Sequence, residues 1–159
     1  MGNAQTQEFD VVIVGSGAGA LTAALKAADG GASVLVLEKT DRFGGNSAMS
    51  GGVLWLPNSP LCNAAGGEES REKAREYMRA VIDEEALFDR IDAYIDTIPE
   101  FIDYLHTQSH LRLDVLANFP DMYPDQPGFQ MHRCHEARPF HGKELGEDLE
   151  RKRCGRSNT

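Results

Sequence analysis

Phe9-Asp-Val-Val-Ile-Val-Gly15-Ser-Gly17-Ala-Gly-Ala20, followed after a helix-compatible run by Ala32-Ser-Val-Leu-Val-Leu-Glu38, decides the fold of this 159-residue chain. Val11 to Val14 is an unbroken β-branched stretch, as expected of a strand buried on both faces of a parallel sheet. The next segment carries Leu21, Ala24, Leu25 and Ala28 at helical spacing, which predicts a helix from Ala18 to Asp29 ended by Gly30-Gly31. The chain therefore reads as α/β, opening with the βαβ unit of a Rossmann-like dinucleotide-binding domain. Gly15 is expected to turn out of the strand and Gly17 to let backbone approach a pyrophosphate. Ala20 stands where a small residue lets helix and strand touch. The anion would rest on the helix N-terminus, where unpaired N–H groups and the positive dipole end converge. Glu38 closes the second strand 23 residues after Gly15, where an acid binds ribose hydroxyls.

The loop after Glu38-Lys39 narrows the choice of dinucleotide. Residues 44–52 read Gly-Gly-Asn-Ser-Ala-Met-Ser-Gly-Gly, four glycines with Ser47 and Ser50 between them, and Val-Leu-Trp-Leu-Pro-Asn58 follows. Such a loop offers N–H groups and hydroxyls to a second portion of a ligand, which an NAD-type unit does not need. On the fingerprint alone an NAD(P)-dependent dehydrogenase stays open. With Gly15-Ser16-Gly17-Ala18-Gly19-Ala20, Glu38-Lys39 and Gly44-Gly45-Asn46-Ser47 to Ser50-Gly51-Gly52, the chain resembles the flavoprotein superfamily of fumarate reductase flavoprotein subunits and 3-ketosteroid 1-dehydrogenases. The segment Ser50 to Asn58, and later Phe119-Pro-Asp-Met-Tyr123 and Pro139-Phe140, look most like the ketosteroid dehydrogenase branch. The resemblance spans roughly residues 9–146 and implies FAD as cofactor. It implies Gly15, Ser16, Gly17, Ala18, Gly19 and Ala20 around the pyrophosphate, and Glu38 with Lys39 at the adenosine ribose. Gly45, Asn46, Ser47, Ser50, Gly51 and Gly52 would lie along the ribityl chain and flavin ring.

Members of this superfamily are several times longer than 159 residues and complete the FAD sheet with strands that follow an inserted substrate domain. This chain supplies two clear parallel strands, so it is expected to be an N-terminal fragment or truncated product with an incomplete domain. The sequence divides into 1–60, the βαβ unit and flavin loop; 61–110, a helical segment; 111–150, loops and a strand toward the substrate face; and 151–159, an unstructured basic tail.

The helical segment is acidic: residues 68–104 hold 12 acids and 5 bases, a balance of −7 within a net charge of −9. That balance argues against a nucleic-acid partner, since phosphate binding needs a basic patch. Ser70 is the expected N-cap of a helix carrying Ala74, Tyr77, Met78, Val81 and Ile82, with Glu69 and Lys73 pairing outward. A second helix is expected from about Leu87 through Ile98, and a third short one from Pro99 to Leu105. With 41% hydrophobic and 26% charged residues, no membrane span and no signal peptide, a cytoplasmic enzyme is the expectation. Cys62, Cys134 and Cys154 are read as free thiols.

An alternating run at 111–116 predicts a strand, and the prolines from Pro120 to Pro127 an open loop. Where the ketosteroid branch has Asp-Tyr-Tyr, its first tyrosine assisting the base that removes a proton, this chain has Asp121-Met122-Tyr123. A thioether neither donates nor relays a proton, and the branch's other tyrosines lie downstream of residue 159. No catalytic residue is assigned. His132-Arg133-Cys134-His135, with His141, reads as loop-like, solvent-facing polar residues of the substrate region; no metal is expected. The resemblance thus implies the front part of an FAD-dependent oxidoreductase acting on a CH–CH bond beside a ketone, with a steroid-like small-molecule substrate. Two alternatives remain: a catalytically inert remnant or flavin-binding module that needs a partner chain, and a fumarate reductase-like flavoprotein.

Overall fold

Two short apolar strands form parallel hydrogen bonds around one helix, as the opening sequence dictates, in a computed structural model that describes residues 6–154. Strand β1 (Val11–Val14) pairs with β2 (Val34–Leu37) in the register Val11↔Val34 to Val14↔Leu37. The ladder continues past the strand end, where Gly15 N–H donates to the Leu37 carbonyl at 2.7 Å. At the other end the Asp10 carboxylate accepts from the Ser33 backbone N–H (2.8 Å) and hydroxyl (2.7 Å), which fixes where both strands begin. Helix α1 (Ala18–Asp29) crosses between them and stops at Gly30 and Gly31, the latter at φ 86°, a conformation that favours glycine.

The chain forms two compact units, residues 1–51 with 141–159, and residues 52–140. The first holds β1, α1 and β2. Among its described residues Ser16 alone is buried; α1 has no buried residue, and Val14 is 83% exposed. Parallel strands ordinarily carry cover on both faces, so this sheet has its apolar surface and edges open. The expected unstructured tail differs from what is seen up to residue 154. Lys152 forms a parallel bridge with Phe43, Phe43 N–H donating to the Arg151 carbonyl (2.9 Å) and Arg153 N–H to the Phe43 carbonyl (2.8 Å). Main-chain pairing needs no side-chain periodicity, so a basic, aperiodic sequence gives no sign of it. Residues 155–159 lie outside the described part.

The second unit is built on an antiparallel sheet in the order β3 (Leu54–Trp55), β5 (Cys134–Ala137), β4 (Leu113–Val115), with helices α2 (Pro60–Ala64), α3 (Arg71–Val81) and α4 (Phe88–Gln108). Its core gathers Leu56, Ile98, Ile102, Leu105 and Leu113. Ser70 caps α3 by accepting from Lys73 N–H at 3.2 Å. The outward Glu69–Lys73 pair is not formed: Lys73 meets Glu68 at 3.1 Å, while Glu69 turns inward to Arg133.

The expected break at Pro99 is absent, and α4 runs through it for 21 residues. Proline lacks the N–H that would bond the carbonyl four residues back, here that of buried Ile95. The Asn58 side-chain amide donates to that carbonyl at 3.1 Å, from a backbone position at φ 60°. The acceptor stranded by Pro99 is thereby satisfied from outside the helix. Asn58→Gly keeps the positive φ and removes the donor, so urea unfolding should show a loss of about 1–3 kcal/mol, the usual penalty for stranding a buried polar group.

Candidate dinucleotide-binding site

A single buried hydroxyl joins three segments of the first unit. Ser16 is 2% exposed. Its Oγ donates to the Glu38 carboxylate at the end of β2 and accepts from Gly44 N–H at 3.0 Å. The second loop is closed onto the first by Ser47, whose Oγ accepts from Ala18 N–H, at the first turn of α1, at 3.0 Å. Glycine is required where the loops touch. A Cβ on Gly45, which sits at φ 55°, would lie 3.1 Å from Gly17 Cα and 3.2 Å from Gly17 N. Gly17, the N-cap of α1, has no side-chain hydrogen-bond cap. Ala18 N–H is taken by Ser47, and the other N–H groups of that first turn have no intrahelical acceptor and are left to face an anion.

These contacts shape a cavity of about 480 Å³ lined by Gly15, Ser16, Gly17, Glu38, Lys39, Gly45, Asn46 and Ser47, together with Val14, Leu37 and Arg153. Ala18, Gly19 and Ala20 form the first turn of α1. Ser50, Gly51 and Gly52 do not line the cavity, and the Ser50 hydroxyl donates to the Ser47 carbonyl at 2.8 Å. Besides the strand residues Val14 and Leu37, Arg153 is the lining residue that sequence reasoning missed; it follows Thr40 by 113 positions, and no spacing rule joins the two. The Ser16 hydroxyl, followed by the Thr40 backbone N–H, holds the Glu38 carboxyl below the usual carboxylate range. At neutral pH Glu38 is therefore an acceptor-only group, suited to hydroxyl donors such as those of a ribose. Gly15 at φ 98° has nothing within 4 Å of a built Cβ, so its surface faces open space. Close glycine backbones, a helix start beside them and an ionised acceptor together fit a dinucleotide.

The stretch His132 to His135 differs from the solvent-facing loop expected of it. Arg133 and His135 are both 0% exposed, and Cys134 opens β5. Arg133 bonds the Glu69 carboxylate through Nε and Nη2 and Asp121 through Nη1 (2.7 Å), with its guanidinium 5.2 Å from the Tyr77 ring centre. Partners 64 and 12 residues away leave no local signal of this triad. His135 Nδ1 lies 2.9 Å from the Arg133 carbonyl, an acceptor only, so Nδ1 carries the proton and Nε2 accepts from the Ser59 hydroxyl at 2.9 Å. Burial pushes the His135 pKa down. Among the described residues no three His, Cys, Asp or Glu side chains converge as a metal site.

Beneath this network the second unit holds a separate, largely apolar cavity of about 400 Å³, lined by Trp55, Tyr77, Met78, Phe119, Met122 and Tyr123 among others. Met122 is 87% exposed. The loop register around it is fixed: Asp121 N–H donates to the Gln130 carbonyl (3.0 Å), Trp55 Nε1–H to Asp121 (2.7 Å) and Tyr123 N–H to the Tyr77 hydroxyl (3.1 Å).

The first unit's fold and site define a dinucleotide-binding βαβ protein. Residues 10–159 match the family model described as "FAD binding domain", and the chain belongs to that family, whose dinucleotide is FAD. It is 40% identical over 144 residues to the 3-oxosteroid 1-dehydrogenase of Mycolicibacterium smegmatis, covering 90% of this chain and 25% of that protein. It is 42% identical over 120 residues to the 4-oxocyclohexanecarboxylate 2-dehydrogenase of Sinomonas cyclohexanicum, covering 76% and 21%. The crystal structure of 3-ketosteroid Δ1-dehydrogenase from Sterolibacterium denitrificans, solved with 1,4-androstadiene-3,17-dione, superposes with a TM-score of 0.88 at 36% identity, covering 95% of this chain and 27% of that one. The chain thus spans about a quarter of the length of these relatives. Among the described residues no helix is long and apolar enough to cross a membrane.

Two outcomes check this geometry. Gly45→Ala introduces a side chain into a left-handed, backbone-crowded position and should weaken FAD binding about tenfold or more in a fluorescence titration, given about 1–3 kcal/mol of strain. Desolvation pushes the Cys62 thiol up to about 11, so Cys62 stays protonated, and being buried it should resist a thiol reagent at neutral pH that labels exposed Cys154 at once.

Proposed function

We infer that this chain is the FAD-holding front part of a cytoplasmic oxidoreductase that acts on a CH–CH bond beside a ring ketone, a steroid-like ketone being the favoured substrate. The observation that carries this reading is the cavity in which Gly15–Gly17, Glu38 and Gly45–Ser47 meet. Within it, the glycine turn and the start of α1 would receive the pyrophosphate, Glu38 and Lys39 the adenosine ribose, and the second loop the ribityl side. Bound FAD supplies a hydride acceptor at flavin N5. The protein's part is to orient that ring and to exclude water.

The substrate class rests on the named relatives, which share an oxo group on a ring, and on the second unit's apolar cavity, within the size range of ligand pockets. Met122 favours a second reading, a catalytically inert remnant or flavin-binding module that needs a partner chain. It stands exposed where the ketosteroid branch carries a proton-handling tyrosine, and the pinned loop register keeps Tyr123 from moving into that position. Purified chain incubated with FAD and desalted should be yellow, with absorbance between about 350 and 500 nm. Adding a 3-ketosteroid and an electron acceptor then separates the readings. Colour with turnover overturns the inert reading, colour without turnover supports an FAD-holding part with no catalytic set of its own, and a colourless chain sinks independent function as an FAD protein and leaves the inert remnant.

A further inference from the structure

Arg153 is the one lining residue of the dinucleotide cavity that no part of the glycine fingerprint predicts. Its position is set by backbone, since the Phe43–Lys152 bridge holds residues 151–153 beside the second loop. From there its side chain reaches the side of the cavity where Thr40 meets Glu38. Nη2 donates to Thr40 Oγ1 at 3.3 Å, and the same Thr40 binds Glu38 Oε1 through its N–H (3.1 Å) and hydroxyl (3.2 Å). Nε is shielded from solvent and has no hydrogen-bond partner. A buried donor without an acceptor is unfavourable, so a small shift of the side chain that brings it against a ligand oxygen would be favoured.

Charge points the same way. The charged side chains lining the cavity are Glu38, Lys39 and Arg153. Glu38 and Lys39 cancel, so without Arg153 a polyanionic ligand would meet a neutral cavity and depend on the α1 N-terminus for attraction. With Arg153 the cavity is cationic. A guanidinium matches the paired oxygens of a phosphate better than any neutral part of a nucleotide.

We propose that Arg153 is an anion-pairing residue of this site and binds a phosphate of the adenosine diphosphate half of the dinucleotide. The inference rests on the dinucleotide reading of the cavity and adds to it a cation from a remote segment. The test is calorimetric titration of the full chain and its variants with ADP and, separately, with adenosine. Arg153→Met keeps the stem and removes the charge. It should weaken ADP binding about tenfold, leave adenosine binding within about twofold, and lose much of its ADP defect in high salt, because the missing interaction is a charge pair. Arg153→Lys should recover most of the ADP affinity. The Phe43–Lys152 pairing is main-chain, so circular dichroism should report unchanged folding in both variants. Equal ADP affinity in Arg153→Met and the original chain overturns the proposal while leaving the site intact. Equal losses for ADP and adenosine overturn it too, by placing Arg153 against the base. Failure of the original chain to bind ADP overturns both the proposal and the dinucleotide reading.

Discussion

The Ser16 hydroxyl is the point on which the cofactor site depends. It is a small group within the glycine turn, yet it reaches the acid that follows β2 and the first glycine of the second loop. One buried donor and acceptor thus sets the distance between two loops that are separate in sequence. It is also the largest influence holding the Glu38 carboxyl below the usual range. Closure is then completed by Gly45 against Gly17 and by Ser47 on Ala18. The site is shaped by hydrogen bonds and backbone contact more than by apolar packing, because no apolar side chain is buried among the described residues of its unit.

The two units contrast in how they are held. The second has an apolar core under α4 and a buried ionic triad, Glu69–Arg133–Asp121, whose disruption by loss of one partner is typically unfavourable by about 3–5 kcal/mol. The first leaves Val12, Val14 and Leu37 exposed on a two-stranded parallel sheet. Parallel strands of this composition are stable when covered, and the relatives that this chain matches are about four times as long. Within the proposed function, holding the flavin and covering the sheet are coupled needs of the whole protein.

Much of this was legible in the sequence. The run Val11–Val14, the glycines at 15 and 17 and the acid at 38 specify strand, turn, helix and strand through local rules, and α1 falls at Ala18–Asp29 as its periodicity predicts. What escaped was non-local. Pro99 reads as a helix break until Asn58, 37 residues away from Ile95, takes the stranded carbonyl. His132–His135 reads as polar surface until Glu69 and Asp121 neutralise Arg133 in the interior. Arg153 comes to the cavity by main-chain pairing with Phe43, which leaves no trace in side-chain pattern.

The most direct test of the central claim is an amide nuclear magnetic resonance titration of the chain with FAD. The account predicts shifts concentrated at Gly15–Ala20, Glu38–Thr40, Gly44–Ser47 and Arg153. No perturbation at the glycine turn, or shifts confined to residues 52–140, would contradict it.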